Sequence, residues 1–187
     1  AYVTAGLEFP ADLIKISLDS YQQVAMIERK ALECNELVIT PDDSKIYLNN
    51  SYYSYTNFGE DKVWYVDVYQ TSDFSRIEIL PVGYRSVDLD MGANGYLYIG
   101  CPLSRSDNLT FQVIDTSDDS LVYEHSYILP DNLLLWWGNL DESGQYIYYT
   151  TWDLVMDGQE VLDYQPGNSI MRINTSDWSN EIFDLGS

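Results

Sequence analysis

Short runs of alternating apolar and polar residues make up almost the whole chain, separated by clusters of Asp, Ser, Asn, Thr and Gly. A period of two predicts half-buried β-strands, and the polar clusters predict the turns between them. The stretch Asn139-Leu140-Asp141-Glu142-Ser143-Gly144-Gln145-Tyr146-Ile147-Tyr148-Tyr149-Thr150 shows the unit most fully. Asp141, Ser143 and Gly144 supply turn chemistry, because short polar side chains bond nearby backbone and Gly accepts positive φ. The aromatic and β-branched residues that follow suit a strand. The same order recurs at Thr40-Pro41-Asp42-Asp43-Ser44-Lys45-Ile46-Tyr47-Leu48 and at Asp90-Met91-Gly92-Ala93-Asn94-Gly95-Tyr96-Leu97-Tyr98-Ile99.

Strands are predicted at 1–4, 13–17, 22–27, 36–40, 45–49, 62–69, 76–80, 85–89, 96–100, 109–114, 121–128, 133–137, 146–152, 169–173 and 181–185. Residues 28–36 read as a connector, and 50–61, 102–108 and 153–167 as loops. A second turn repeats as Thr71-Ser72-Asp73, Thr116-Ser117-Asp118 and Thr175-Ser176-Asp177, with Leu18-Asp19-Ser20 as its first counterpart. A tyrosine recurs in the second strand of each unit at Tyr2, Tyr47, Tyr98 and Tyr148, at intervals of 45, 51 and 50 residues. That spacing falls near the blade period of propellers. The expected fold is therefore all-β, a β-propeller or propeller segment of about four four-stranded antiparallel blades. They divide one domain, 1–187, at roughly 1–30 (partial), 31–81, 82–130 and 131–187. Such sheets cannot bury both faces alone and must stack on their neighbours.

Strands written like Tyr2-Val3-Thr4, followed later by Ile114-Asp115-Thr116 or Ile173-Asn174-Thr175 before a polar turn, resemble the YVTN family of β-propeller repeats, within the broader WD-like and quinoprotein-like group. Tyr-Val-Thr-Asn is never spelled in full here. The resemblance implies an extracellular or cell-surface setting, often a surface layer or bacterial envelope, and no single activity. Lactonase-like and quinoprotein-like enzymes, or their accessory chains, are the enzymatic alternative it carries.

Composition narrows the partners. With 30 acidic against 9 basic residues the net charge is −21, and no basic cluster exists to bind nucleic acid or an anionic membrane surface. No stretch has the length of a membrane-spanning helix. Cys34 and Cys101 are too few for a disulfide framework and read as two buried thiols. Zinc is not expected, since there is no Cys-x-x-Cys and His125 is the only histidine. His125 reads as a structural or surface residue, and no Gly-x-Ser-x-Gly elbow accompanies it. The Asp88–Gly95 stretch superficially resembles a Ca²⁺ loop but lacks the ligand spacing, so it reads as turn chemistry, with weak Ca²⁺ binding left to the acidic surface. No catalytic residue and no cofactor are assigned.

The recognition candidates are the loop tyrosines Tyr52, Tyr53 and Tyr55 with Phe58, since Tyr offers contact area at low entropic cost. Trp136 and Trp137 join them, with at least one read as core. Asn49, Asn108 and Asn174 each head an N-glycosylation sequon. The leading expectation is a non-enzymatic structural, adhesion or protein-interaction module with a protein partner or a neighbouring copy, and a carbohydrate-binding propeller is the further alternative. A first blade that lacks its inner strand also predicts that the polypeptide is not a closed, self-sufficient monomer.

Overall fold

The structure, a computed structural model, describes residues 2–5, 12–27, 36–51, 64–82, 88–101, 108–130, 133–157 and 160–186. Among them every regular element is a strand, in the order β1 (Tyr2–Ala5), β2 (Asp12–Ile16), β3 (Gln23–Ile27), β4 (Leu37–Ile39), β5 (Lys45–Ser51), β6 (Trp64–Gln70), β7 (Arg76–Val82), β8 (Asp88–Met91), β9 (Tyr96–Cys101), β10 (Asn108–Asp115), β11 (Ser120–Ile128), β12 (Leu133–Leu140), β13 (Tyr146–Asp157), β14 (Glu160–Asn174) and β15 (Asn180–Asp184). All pairings are antiparallel between sequence neighbours, giving a three-stranded sheet β1–β3 and the four-stranded sheets β4–β7, β8–β11 and β12–β15. This is the blade pattern read from the repeats. The chain divides into two compact units, Ala1–Val82 and Gly83–Ser187, each holding two of these sheets.

In the first unit Leu13 of β2 is buried with Ile46, Leu48 and Tyr69 of the second sheet, and Ile27, Leu37, Ile39 and Phe74 pack around them. In the second unit Tyr98, Leu109, Phe111, Val113, Tyr127 and Leu129 of the third sheet share a core with Leu135, Ile147, Tyr149, Met171 and Ile173 of the fourth. Stacking neighbours thus bury the second face that one sheet leaves open, as four-stranded repeats require.

Two expectations are corrected. The predicted loop at 153–167 is largely ladder: Asp153 pairs Gln165, Leu154 pairs Tyr164 and Asp157 pairs Glu160. Pro166 and Gly167 read as breakers, but the register shifts beside them, between Thr150 and Trp152, and a bulge is where a sheet tolerates Pro. The second correction concerns Asp90: Asp88 falls in a strand as predicted, but that strand, β8, runs on through Asp90 to Met91 and the turn begins after it. Trp136 and Trp137 occupy a bulge of β12, between the pairs Leu135–Thr151 and Gly138–Tyr149. Tyr52, Tyr53, Tyr55 and Phe58, with Cys34 and most of the 28–36 connector, lie outside the described residues.

Candidate functional site

The two turns of each four-stranded sheet are tied together by one threonine. Thr71 donates its hydroxyl to the Asp43 carbonyl, Thr116 to that of Gly95 at 2.6 Å, and Thr175 to that of Gly144 at 2.8 Å. The accepting residues Asp43, Gly95 and Gly144 share a positive φ of 56°, 83° and 71°, which points the carbonyl at the neighbouring turn. Each Thr amide also bonds the same turn, at 3.0–3.1 Å for Thr71 and Thr116 and 2.9 Å for Thr175. Two residues on, Asp73, Asp118 and Asp177 accept the amides of Ser75, Ser120 and Ser179 at 2.9, 3.1 and 3.0 Å. Both repeats found in the sequence are halves of this joint.

Between those residues sits a position at positive φ that is never glycine: Tyr21 (55°), Phe74 (59°), Asp119 (61°) and Trp178 (59°). L-residues resist this region, so a bulky side chain here marks a position held by its surroundings. An amide bond back to the carbonyl four residues earlier fixes it, from Tyr21 to Ser17, Phe74 to Gln70 and Trp178 to Asn174. The turn thereby presents the aromatic ring to the sheet before it. Phe74 packs against the cluster that includes Leu13 of the first sheet, and Lys15 Nζ lies 5.8 Å from its ring centre while donating to the Thr71 carbonyl at 3.3 Å. Trp178 stacks on Tyr123 of the third sheet at 4.2 Å and 12°, with Phe111 at 5.5 Å and Tyr98 at 6.4 Å, and its carbonyl accepts the Tyr127 hydroxyl at 3.1 Å.

Carboxylates secure the inner strands of the second unit. Asp88 accepts the Gly138 amide at 3.0 Å and Asp90 the Leu140 amide at 2.7 Å, so β8 holds β12 through side chains. Burial pushes the Asp90 carboxyl above its ordinary range, against the Leu140 N–H that favours the anion. Sequence reasoning missed this role, because nothing local distinguishes a strand Asp that bonds a neighbouring sheet from one in a turn. Tyr149 crosses the same junction: a methyl group on either Gly100 or Gly138 would overlap its ring.

On the fourth sheet no described residue of another sheet covers the same face. Tyr148 and Arg172 are cross-strand partners, as are Tyr98 and Val113 in the third sheet. There Tyr98 is buried under Trp178, whereas Tyr148 is exposed. Arg172 pairs with Glu181 and lies 4.5 Å from the Tyr146 ring centre and 4.8 Å from that of Phe183. A groove of about 270 Å³ opens beside it, lined by Tyr146, Arg172, Asn174, Ser179, Asn180 and Glu181. Guanidinium between aromatic rings is a surface suited to cation–π stacking and to donating hydrogen bonds to a carbonyl or carboxylate.

The remaining candidates are scattered. His125 is exposed on β11, its ring 4.6 Å from Tyr127 and 6.1 Å from Tyr123. Among the described residues no three His, Cys, Asp or Glu side chains converge as a metal site, and Cys101 is buried. Asn49 is a correction: it lies in β5 with 2% of its surface exposed, and a glycan has no room there. Asn108 opens β10, and Asn174 closes β14, where its side-chain oxygen accepts the Ser176 amide at 2.9 Å. No described helix is long and apolar enough to cross a membrane.

No protein-family model matches the chain, and no curated protein matches it. Solved structures do. Hydrazine synthase of Kuenenia stuttgartiensis superposes with a TM-score of 0.70 at 14% identity over 95% of this chain and 48% of that one. A functionally unknown protein from Desulfotomaculum acetoxidans gives 0.53 at 14% identity over 97% of this chain and 64% of its own. The dihydro-heme d1 dehydrogenase NirN gives 0.54 at 11% identity, over 94% and 43% respectively. The chain thus spans 43–64% of the length of these structures. At such identities the likeness carries the fold alone: the chain is built as a β-propeller or a segment of one.

Proposed function

We propose that the chain is a non-enzymatic, extracellular or cell-surface propeller module acting in structure, adhesion or protein interaction. One observation carries this reading. The polar side chains best placed for chemistry are spent on backbone groups: Asp88 and Asp90 on β12, and Thr71, Thr116 and Thr175 on the turn joints. What faces outward on the fourth sheet is instead an Arg–aromatic surface. A net charge of −21 suits a solvated surface and disfavours anionic partners.

Labelling of intact and lysed cells of the source organism with an antibody tests the placement, and signal only after lysis would refute it. A turnover panel of lactones and redox dyes, with a Soret-band titration against heme, tests the activity. The names of the similar structures, a hydrazine synthase and a dihydro-heme d1 dehydrogenase, are what an enzymatic or accessory reading would rest on. Saturable turnover or stoichiometric heme binding would establish that reading in place of ours. Glycosylation is expected at Asn108 or Asn174; intact-mass analysis of natively sourced protein showing only polypeptide mass would exclude it.

A further inference from the structure

The junction of the third and fourth sheets holds a cavity of about 260 Å³ beside the turn that carries Thr175 and Trp178. Tyr96, Tyr98, Tyr123 and Trp178 bring aromatic rings to it, Val113 and Thr175 also line it, and none of its lining side chains is charged. The sheet junction inside the first unit shows what such a space can hold. There Lys15 reaches the equivalent turn, donates to the Thr71 carbonyl at 3.3 Å and brings its ammonium within 5.8 Å of the Phe74 ring centre. Strand register makes Val113 the counterpart of Lys15. Lys15 pairs with Tyr2 and Ala25, Val113 pairs with Tyr98 and Tyr123, and in each case the ladder to the outer strand shifts at the next residue. Thr175 and Trp178 likewise stand in their turn where Thr71 and Phe74 stand in theirs. Val113 stops at its γ carbons, so the stem and ammonium that Lys15 supplies have no counterpart here. Their surroundings remain: the Thr175 carbonyl, to which no described residue donates, and several aromatic rings in place of one.

We propose that this cavity is a binding site for a lysine side chain of a partner protein. The incoming ammonium donates to the Thr175 carbonyl as that of Lys15 donates to Thr71. Its alkyl stem lies along Val113 and the rings, whose faces attract the cation. The uncharged walls hold no cation to repel it, and the field of a chain at −21 concentrates cations around the molecule. The site rests on the reading of the chain as an interaction module and gives that module a ligand chemistry.

Isothermal titration calorimetry with Nα-acetyl-lysine N-methylamide tests it on wild type, Val113→Met and Val113→Lys. Wild type is expected to bind with a Kd of ~1 mM, and Nα-acetyl-norleucine N-methylamide, which has the stem without the ammonium, at least ~10-fold more weakly. Val113→Met fills the cavity with an uncharged stem and should weaken lysine binding at least ~10-fold, with far-UV circular dichroism unchanged. Val113→Lys supplies the ammonium from within, so binding should be lost and the melting temperature should stand about 2–4 °C above that of Val113→Met. Equal affinity for the lysine and norleucine compounds, or no binding of either, overturns the proposal. Undiminished binding by Val113→Met also overturns it, since the cation then sits elsewhere on the acidic surface. So does a Val113→Lys protein less stable than Val113→Met. Cadaverine binding at least ~10-fold more tightly than the lysine compound overturns the protein source in favour of a free diamine. None of these results touches surface display, which the cell labelling decides, or activity, which the turnover panel decides.

Discussion

A single aromatic ring fixes the spacing of the third and fourth sheets. Tyr149 is buried between Gly100 and Gly138, where any side chain would meet its ring. Gly138→Ala and Gly100→Ala should each lower unfolding free energy by about 1–3 kcal/mol, the range for overpacking a closed core. Urea titration checks this, with the midpoint falling and the slope unchanged. The aspartates divide into two groups with opposite pH behaviour. At Asp42 the Thr40 hydroxyl first, then the Ser44 hydroxyl and amide, hold the carboxyl down to about 2. Asp73 is lowered chiefly by the Ser75 amide, and Asp141 and Asp177 chiefly by the Ser143 and Ser179 hydroxyls. A folded-state pKa below the unfolded value gives stability above about pH 4 that is lost as pH falls toward 2. The melting temperature should therefore drop through that window, and Asp42→Asn should flatten part of the drop. For Asp90 the sign reverses: its raised folded-state pKa favours folding below the unfolded value, and that contribution disappears as pH rises through the raised one. Asp90→Asn keeps an acceptor for the Leu140 amide and removes the partly buried charge. It should match or exceed wild type by about 0.5 kcal/mol at pH 7, small because solvent screens the site, whereas Asp90→Ala should lose about 1–3 kcal/mol by orphaning that amide.

At the scale of elements the turn joint is the unit of construction. Thr116→Val keeps the shape and removes the hydroxyl that reaches Gly95, so a loss of about 1 kcal/mol is expected in thermal or urea unfolding. Trp178→Ala strips the cover from Tyr98, Phe111 and Tyr123 and should cost about 2–4 kcal/mol, with the near-ultraviolet dichroism of the stacked Tyr123 collapsing. These joints were legible in the sequence as two recurring motifs, Asp-rich and Thr-Ser-Asp, because turn chemistry is local and leaves a fixed residue signature. That they bond each other was not legible, since Thr175 and Gly144 lie 31 residues apart. The residue after each Asp escaped attention for a related reason: Phe74, Asp119 and Trp178 share a backbone angle and no side-chain type. The Arg172 surface was equally hidden, because an alternating Ile170-Met171-Arg172-Ile173 run looks like any other half-buried strand until its neighbours are placed. The strand extension past Asp153 was masked by Pro166-Gly167, whose breaker signal a bulge absorbs.

Across the whole molecule, charge is the dominant variable that no contact describes. At −21 the folded chain repels itself, and salt at ~0.1 M screens that repulsion beyond about 10 Å. The melting temperature should rise from low to high ionic strength and rise further per unit ionic strength with divalent cations. A flat or falling series would show that local pairing already compensates the excess.

The turn aromatics impose an order in time. Phe74 covers the sheet made before it, and Trp178 does the same for Tyr98, Phe111 and Tyr123. The ribosome therefore releases each of these sheets about 50 residues before the ring that seals it; Tyr127 waits 51 positions for the Trp178 carbonyl. At a synthesis rate of about 5–20 residues per second that is a delay of a few seconds, during which a sticky aromatic face is open to other nascent chains. Codon-slowed stretches just upstream of Phe74 or Trp178 should then lower soluble yield, while the same stretches placed just after them should not.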